Sequence, residues 1–286
     1  MPRIVVRIRG GLGNQLFCYA AARRLAIANE AELVIDDVTG FVRDKTYRRQ
    51  YALTRFQIPA RKATPAERME PFERCRRGRA KFLARRRPFH LRRYVEQEGI
   101  DFDPRLLDFK VKGTVYLDGL WQSEGYFKDV ADVIRADLTI IPPHDSNNRE
   151  MSEHIIRCNA VAVHVRAAHN LARSYYERAI KKIIANTREP HFFVFADQPN
   201  AARGMLELPD HEVMYIRHNR GDENAHADLW LMSKCRHFII ANSTFSWWGA
   251  WLSRHQQKLV IAPGCVQSGI CSWGFPGLLP EEWIRL

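Results

Sequence analysis

The amino-acid sequence predicts an α/β protein with two lobes, each built on a parallel sheet. Three observations support this prediction. The chain opens with a strand, a glycine turn, a helix and a second strand; apolar strands alternate with short helices after about residue 150; and prolines and polar turn formers at residues 140–148 separate the two regions. A length of 286 residues, 46% of them apolar, fits two domains of roughly 140 residues.

The first lobe is expected at residues 1–141 and begins as a right-handed parallel unit. Its strand, turn, helix and strand are predicted at residues 4–9, 10–15, 16–29 and 32–36. From residue 40 to 112, five prolines interrupt short, mostly basic helical stretches, which we interpret as an elaboration of this lobe. Regularity resumes with a strand at residues 114–117 and a helix at residues 125–137.

The second lobe is expected at residues 150–286, with the final residues returning to the first lobe. Near-continuous apolar strands alternate with short helices, which is typical of a parallel sheet covered on both faces. The strands are predicted at residues 160–166, 192–196, 212–216, 237–241 and 258–262, and the helices at residues 174–185, 200–206, 227–233 and 245–253. Ligands of such sheets bind beyond the carboxyl ends of the strands.

No apolar run is long enough to cross a bilayer, and the N-terminus has no leader-like pattern, so we expect a cytoplasmic protein. The six cysteines are scattered without metal-ligand spacing, which favours inert thiols. The formal charge of +12 is concentrated at residues 74–93, which carry ten Lys or Arg and no acid. This stretch indicates an anionic partner, although a solvated helix face without a partner is the alternative.

A glycine turn follows the first predicted strand. Glycines there let backbone amides approach an anion, and the next helix directs its positive dipole end to the same place. The candidate binding residues of this turn are Gly10, Gly11, Gly13, Asn14 and Gln15. Asp36 or Asp37 could imitate the ribose-binding acid of a dinucleotide fold, so an NAD-dependent oxidoreductase stays open, as does a turn that simply needs glycine.

His164 and Arg166 end a buried strand and share one face of it. An arginine at this edge can hold a pyrophosphate with two hydrogen bonds. Alternatively, His164 is a core histidine with its hydrogen bonds satisfied, and Arg166 forms an ion pair between the lobes.

A second strand runs into a helix at residues 241–251. Polar residues cluster at the helix entry, where they can cap N–H groups or contact a ligand, and aromatic residues behind them suggest an aromatic wall. At least two of the tryptophans are expected to be ordinary core residues. The polar residues are Asn242, Ser243, Thr244 and Ser246, and the aromatic ones are Phe245, Trp247, Trp248 and Trp251.

These motifs occur in the order seen in bacterial α-1,2-fucosyltransferases, which form glycosyltransferase family 11, and the chain resembles that family over nearly its whole length. The matching segments are GGLGNQLF, LDGLWQSEGYF, VAVHVR, DLWLMSKCRHFIIANSTFSWWGAWLS, VIAP and LPEEWIRL. The resemblance implies a GT-B fold with an acceptor-side first lobe and a donor-side second lobe. It also implies inverting transfer of L-fucose from GDP-β-L-fucose to O2 of a galactoside, without a metal or other cofactor.

The resemblance also implies residue roles. Arg166 and Asn14 are the expected catalytic residues, beside the diphosphate and the scissile bond. The expected donor-binding residues are Gly10, Gly11, Gly13, Gln15, His164, Asp197, Asn242, Ser243, Thr244, Phe245 and Ser246. The expected partners are GDP-fucose and a galactose-containing glycan, with a lipid-linked acceptor and an anionic membrane docked on residues 74–93 as further options. No nucleic-acid motif stands there, so nucleic acid is not expected.

One segment departs from the family. Members usually continue the histidine–arginine strand with a second arginine, glycine and aspartate, whereas Ala167, Ala168, His169 and Asn170 follow Arg166 here. The roles of that arginine and aspartate cannot be carried over. The general base stays open among Asp228, Asp197, Glu124 and His169. Asp101 and Asp103 form a nominal DxD, but Pro104 follows at once, so a metal site is not expected there.

Overall fold

A computed structural model describes residues 1–166, 171–206, 208, 213–268 and 271–286. The chain divides into two compact units. The first comprises Met1–Thr139 with Pro276–Leu278, and the second comprises Ile140–Phe275 with Leu279–Leu286. Each unit contains a parallel sheet with helices, which confirms the predicted α/β class.

The first unit is a five-stranded parallel sheet in the order β3-β2-β1-β5-β4. Its elements are β1 (Arg3–Arg7), α1 (Leu12–Ala28), β2 (Glu32–Asp36), β3 (Arg61–Lys62), α2 (Glu73–Arg85), β4 (Tyr94–Glu96), β5 (Thr114–Asp118) and α3 (Ala131–Asp137). The strand order changes direction between β1 and β5. The apolar side chains of β1 are buried, as expected for the central strand of a covered sheet.

The glycine turn is shorter than predicted. Gly10 has a φ of +79°, which favours glycine, and Gly11 is the N-cap of α1. The helix therefore begins at Leu12, and Gly13, Asn14 and Gln15 lie in its first turn rather than in a loop.

The basic region contains more sheet than predicted. Two short strands, β3 and β4, form the two edges of the sheet, and α2 lies between them in sequence. Asp36 is buried at the end of β2, where its carboxylate accepts hydrogen bonds from Thr39 and contacts the Arg77 guanidinium at 3.3 Å. Asp37 pairs with Lys62 at 2.8 Å. The carboxylates of both residues thus contact side chains of the chain itself, and a ribose-binding role for them stays a prediction.

The second unit is a six-stranded parallel sheet in the order β13-β10-β9-β6-β7-β8, with a separate antiparallel pair, β11 and β12. Its helices are α4 (Ser146–Arg157), α5 (Arg173–Asn186), α6 (Pro199–Met205), α7 (Ala225–Lys234) and α8 (Thr244–Leu252). Its strands are β6 (Asn159–Val165), β7 (Pro190–Ala196), β8 (Val213–Tyr215), β9 (His237–Ile239), β10 (Val260–Ala262), β11 (Val266–Ser268), β12 (Cys271–Trp273) and β13 (Ile284–Arg285).

Two boundaries of this unit differ from the sequence prediction. The linker predicted at residues 140–148 contains the start of α4, because Asp145 caps this helix by accepting a hydrogen bond from the backbone N–H of Asn148 at 2.9 Å. Of the final residues, Pro276–Leu278 belong to the first unit, whereas β13 pairs with β10 in the second sheet. Within the described part of the chain, no helix is both long and apolar enough to span a bilayer.

Candidate functional site

The strand order of the second sheet changes direction between β6 and β9. Strands β7 and β8 lie on one side of β6, and β9, β10 and β13 lie on the other. Ligands of open parallel sheets bind at such a switch point, beyond the carboxyl ends of the strands. Arg166 comes directly after β6, and Ser243 follows β9 by four residues, so the two motifs predicted from the sequence meet at this edge.

His164 joins β6 to the first turn of α8. Its side chain is buried, and its Nδ1 shares a hydrogen bond of 2.9 Å with the Ser246 hydroxyl. The Phe245 ring lies 5.7 Å from the imidazole, and the Tyr176 hydroxyl donates to the His164 carbonyl at 3.1 Å. These contacts fix the orientation of the imidazole at the switch point.

Arg166 is held by two long contacts. Nη1 donates to the Ser243 hydroxyl at 3.5 Å, and Nε lies 3.9 Å from a carboxylate oxygen of Asp197, at the end of β7 in the same unit. Charge-assisted bonds are usually about 2.7–2.9 Å long, so the guanidinium is loosely engaged. Its Nε is buried and has no hydrogen-bond partner among the residues that the structure describes. A buried N–H without a partner is costly, so an anionic acceptor here would be stabilising.

The entry of α8 is polar and its interior is apolar. Ser243 is the N-cap, but its hydroxyl accepts from Arg166 and does not cap the helix. Asn242, Thr244 and Phe245 lie beside it and are partly buried.

The tryptophans of this helix are core residues. Their rings are buried and packed 5.0–6.2 Å from one another. This confirms that at least two of the tryptophans are core residues, and in fact all three are; of the four aromatic residues only Phe245 is partly buried.

The first sheet has its own switch point, between β1 and β5. Asn14 in the first turn of α1 accepts a hydrogen bond from the Gln122 side chain at 2.8 Å, and Gln122 follows β5. A Cβ at Gly10 would lie 2.8 Å from Nδ2 of Asn14, so glycine is required there on grounds of both space and backbone conformation. This pair occupies the position where the sheet order predicts a ligand site.

Gln15 has a structural position. Its side-chain N–H groups donate to the carbonyls of Gly10 and Gln50, both at 2.9 Å, and its carbonyl accepts from the Ala52 backbone N–H at 2.9 Å. The buried amide therefore ties the glycine turn to residues 50–52. Gly11 is the N-cap of α1, and Gly13 is buried in its first turn.

Sequence reasoning missed three supporting residues. Gln97 accepts from the backbone N–H groups of Leu120 and Trp121 at 2.8 and 2.9 Å, and Trp121 has a φ of +51°. These features position Gln122. Gln122 lies in the LDGLWQSEGYF segment used for the resemblance, so the signal was present, but its partner Asn14 is 108 residues away.

The candidate bases occupy different surroundings. Burial raises the pKa of Asp228 to about 7, against a hydrogen bond from Asn219 that lowers it. Asp197 lies beside Arg166, and Glu124 follows Gln122 in a short helical turn. His169, with Ala167, Ala168 and Asn170, lies outside the described residues.

Asp103 of the nominal DxD is engaged within the chain. Arg105 contacts its carboxylate at 2.6 Å, and hydrogen bonds from that guanidinium hold the pKa of Asp103 below its ordinary value. Among the residues that the structure describes, no group of three or more His, Cys, Asp or Glu side chains is arranged to hold a metal.

The fold and these residues define an α/β protein with a candidate ligand site at the switch point of each sheet. Residues 3–270 match the model of Glycosyl transferase family 11, and the chain belongs to this family. It is therefore a glycosyltransferase, as the motifs predicted.

Two curated relatives from Escherichia coli are similar over most of the chain. The alpha-1,2-colitosyltransferase is 28% identical over 312 residues, covering 100% of this chain and 99% of its own. The O-antigen biosynthesis glycosyltransferase WbnK is 27% identical over 289 residues, and the match covers 90% of this chain and 92% of WbnK. Both act in glycosyl transfer, as their names state.

Solved structures share the fold. The alpha-1,6-fucosyltransferase NodZ, soaked with GDP-fucose, has a TM-score of 0.54 at 18% identity and covers 88% of this chain and 92% of its own. A mutant of Arabidopsis thaliana FUT1 in complex with GDP has a TM-score of 0.53 at 12% identity, and the match covers 91% of this chain and 70% of the FUT1 chain. These neighbours are GT-B glycosyltransferases, and the present chain has the same fold.

Proposed function

We propose that this protein is an inverting transferase that moves L-fucose from GDP-β-L-fucose to O2 of a galactoside in a surface glycan or oligosaccharide. The main observation behind the proposal is that Arg166 and His164 contact the first residues of α8 at the switch point of the second sheet. Family membership supports glycosyl transfer. NodZ, similar in fold, is a fucosyltransferase that was soaked with GDP-fucose, which supports the choice of donor.

Arg166 is the group that we assign to the donor diphosphate. Cleavage of the glycosyl bond places negative charge on the β-phosphate, and a fixed guanidinium can stabilise that charge as it develops. The contacts of the Arg166 guanidinium with Ser243 and Asp197 are long and therefore weak. The guanidinium can thus reorient toward a phosphate without losing a strong hydrogen bond. Asp197 then serves to orient the guanidinium.

The remaining donor contacts are proposed at the entry of α8. Backbone N–H groups and the positive dipole end of a helix favour a phosphate at its N-terminus. Because the Ser243 hydroxyl does not cap the helix, it stays oriented toward Arg166. His164 contacts the nucleotide in this proposal, and Ser246 holds the imidazole in place. Asn242, Thr244 and Phe245 complete the donor contacts.

In the first unit we assign the transfer step to Asn14 and a supporting role to the glycine turn. Gln122 orients the Asn14 amide, and Gln15 fixes the turn by bonding three backbone groups. Gln15 would therefore act by positioning Asn14 rather than by touching the donor. Gly10 leaves room for the Asn14 side chain, and Gly11 and Gly13 lie at the start of α1 on either side of Leu12.

The test is incubation of the purified protein with GDP-fucose and a panel of β-galactosides, followed by mass and linkage analysis. The proposal predicts a product that is heavier by one fucosyl residue, attached at O2. Thermal shifts with GDP, GDP-fucose and NAD(P) accompany it. Protection by NAD(P) together with no protection by GDP would reject the proposal in favour of an oxidoreductase.

A second candidate donor comes from the curated relative that is an alpha-1,2-colitosyltransferase. The same assay with a colitosyl nucleotide separates the two donors. If the kcat/KM for colitose transfer is well above that for fucose transfer, the donor is the colitosyl nucleotide, and the proposed roles of the site residues stay the same.

A further inference from the structure

Helix α2 of the first unit reverses the usual orientation of a surface helix. Such helices normally turn apolar side chains to the core and charges to solvent. In α2, Arg77 and Lys81 face the sheet, whereas Phe82 and Leu83 are 55% and 48% exposed. The two large apolar side chains of this helix are therefore presented outward.

The inner face is anchored by charges. Arg77 contacts Asp36 at 3.3 Å, and Lys81 contacts Asp118 at 3.0 Å and Glu96 at 2.6 Å. Burial alone would raise the pKa of Asp118, but Arg7, Arg9 and Lys81 together lower it to about 2. Ala84 is the buried apolar residue of the helix. Phe82 and Leu83 are each about half exposed and lie outside the core, so core packing does not explain their presence.

The outer face of α2 combines these apolar side chains with arginines. Arg79 and Arg86 lie three residues before and four residues after Phe82, on the same side of the helix axis. The Arg86 guanidinium stacks over the Phe82 ring at 4.1 Å from its centroid. We define the outer face by Phe72, Arg76, Arg79, Phe82, Leu83 and Arg86, all of which are exposed.

We propose that the outer face of α2 binds the surface of an anionic phospholipid bilayer. Phenylalanine and leucine flanked by arginine are typical of helices that lie in the headgroup region, where rings enter the acyl boundary and guanidinium groups meet phosphates. The arginines supply charge complementarity, and the segment from residue 74 to residue 93 contains no acid that would oppose it. Because the helix is fixed to the sheet by its own ion pairs, it can present this face without refolding.

Vesicle flotation of the full chain tests this surface. The vesicles are phosphatidylcholine alone, or phosphatidylcholine with about a third of phosphatidylglycerol, at low salt and at about 150 mM salt. The wild type is expected to float with the phosphatidylglycerol vesicles only, and more strongly at low salt. R79E/R86E should weaken partitioning by about tenfold or more, because two attractions become repulsions. F82S/L83S should weaken it while keeping the salt dependence.

A matched control lies in the second unit. K182E/I184S changes an exposed lysine and the half-exposed Ile184 of α5, and it should float like the wild type. Circular dichroism checks that every variant is folded. Transfer to a soluble acceptor should be unchanged in R79E/R86E, so the membrane proposal and the proposed reaction can fail separately.

Four outcomes would overturn the proposal. The first three are no flotation with anionic vesicles at low salt, equal binding to phosphatidylcholine alone, and wild-type flotation by both outer-face variants. Loss of flotation in K182E/I184S to the same degree as in R79E/R86E would also reject it, because binding would then follow net charge rather than this face.

Discussion

Arg166 and His164 stand two residues apart, yet their surroundings differ. His164 lies within β6 and is buried against Ser246, whereas Arg166 follows the strand and is partly exposed. The alternation of side chains along a strand predicts that both point to one face. It cannot predict the partner Ser246, because that contact joins residues 82 positions apart and depends on where β9 pairs.

The first prediction concerns Arg166→Ala. Loss of one preorganised donor to a developing charge typically costs about 2.7–4 kcal/mol, so kcat should fall by roughly a hundredfold or more. Arg166→Lys keeps the positive charge but loses the planar guanidinium group, so its kcat should lie between those of the wild type and Arg166→Ala. Steady-state kinetics with GDP-fucose measure both effects, and thermal unfolding verifies the fold. Arg188→Ala, at a side chain 91% exposed, serves as the control. Near-normal kcat for Arg166→Ala would remove the residue from the mechanism.

The surroundings of Gln15 were harder to predict. Gln15 stood in the GNQ turn and was expected to contact the donor, but its amide is bonded to the backbone of Gly10, Gln50 and Ala52. Those partners include a loop that no periodicity predicts. A buried amide with three backbone bonds is a property of the folded chain, and the sequence shows only that a polar residue lies beside glycine.

At the scale of elements, periodic segments were predictable and short ones were not. Strands β6 and β7, with their apolar runs, lie within one or two residues of their predicted bounds. Strands β3, β4 and β13 have only two or three residues each, and their pairing comes from neighbours distant in sequence. Helix α4 was misread as a linker because the polar residues that form turns also cap helices.

A polar network joins helices α4 and α7 of the second unit through the loop residue Asn219. Asn148 of α4 exchanges hydrogen bonds with Asn219, and Asn219 donates to the Asp228 carboxylate of α7 at 2.9 Å. Because burial raises the pKa of Asp228 to about 7, the folded protein binds a proton that the unfolded chain releases above about pH 4. The free energy of unfolding should therefore fall as the pH rises from about 4 to 7.

The second prediction follows from this network. Asp228→Asn keeps an acceptor for Asn219 and cannot ionise, so its stability should fall less between pH 5 and 8 than that of the wild type. The difference is on the order of 2–4 kcal/mol at most. Urea unfolding at both pH values measures it, with Asp222→Asn at an exposed neighbouring position as the control. Parallel pH dependence in the wild type and Asp228→Asn would show that Asp228 does not titrate in this range.

At the scale of the whole molecule, both sheets follow one rule. Each sheet has a switch point, between β1 and β5 in the first unit and between β6 and β9 in the second. The candidate residues of each unit gather at that point, as Asn14 does with Gln122 and Arg166 with Ser243. The sequence predicted strand ends with polar residues after them. It did not predict which ends are neighbours, because that depends on the order of the strands in the sheet.

The last prediction concerns metal. The second unit places a guanidinium and the positive end of α8 at the same sheet edge, and these groups can balance a leaving diphosphate. We therefore expect the transfer rate to stay within about twofold after dialysis against EDTA and after addition of Mg²⁺. Added Mg²⁺ should not restore activity to Arg166→Ala, since the missing charge belongs to a fixed side chain. Activity that EDTA abolishes and Mn²⁺ restores would instead assign the charge at the diphosphate to a bound cation.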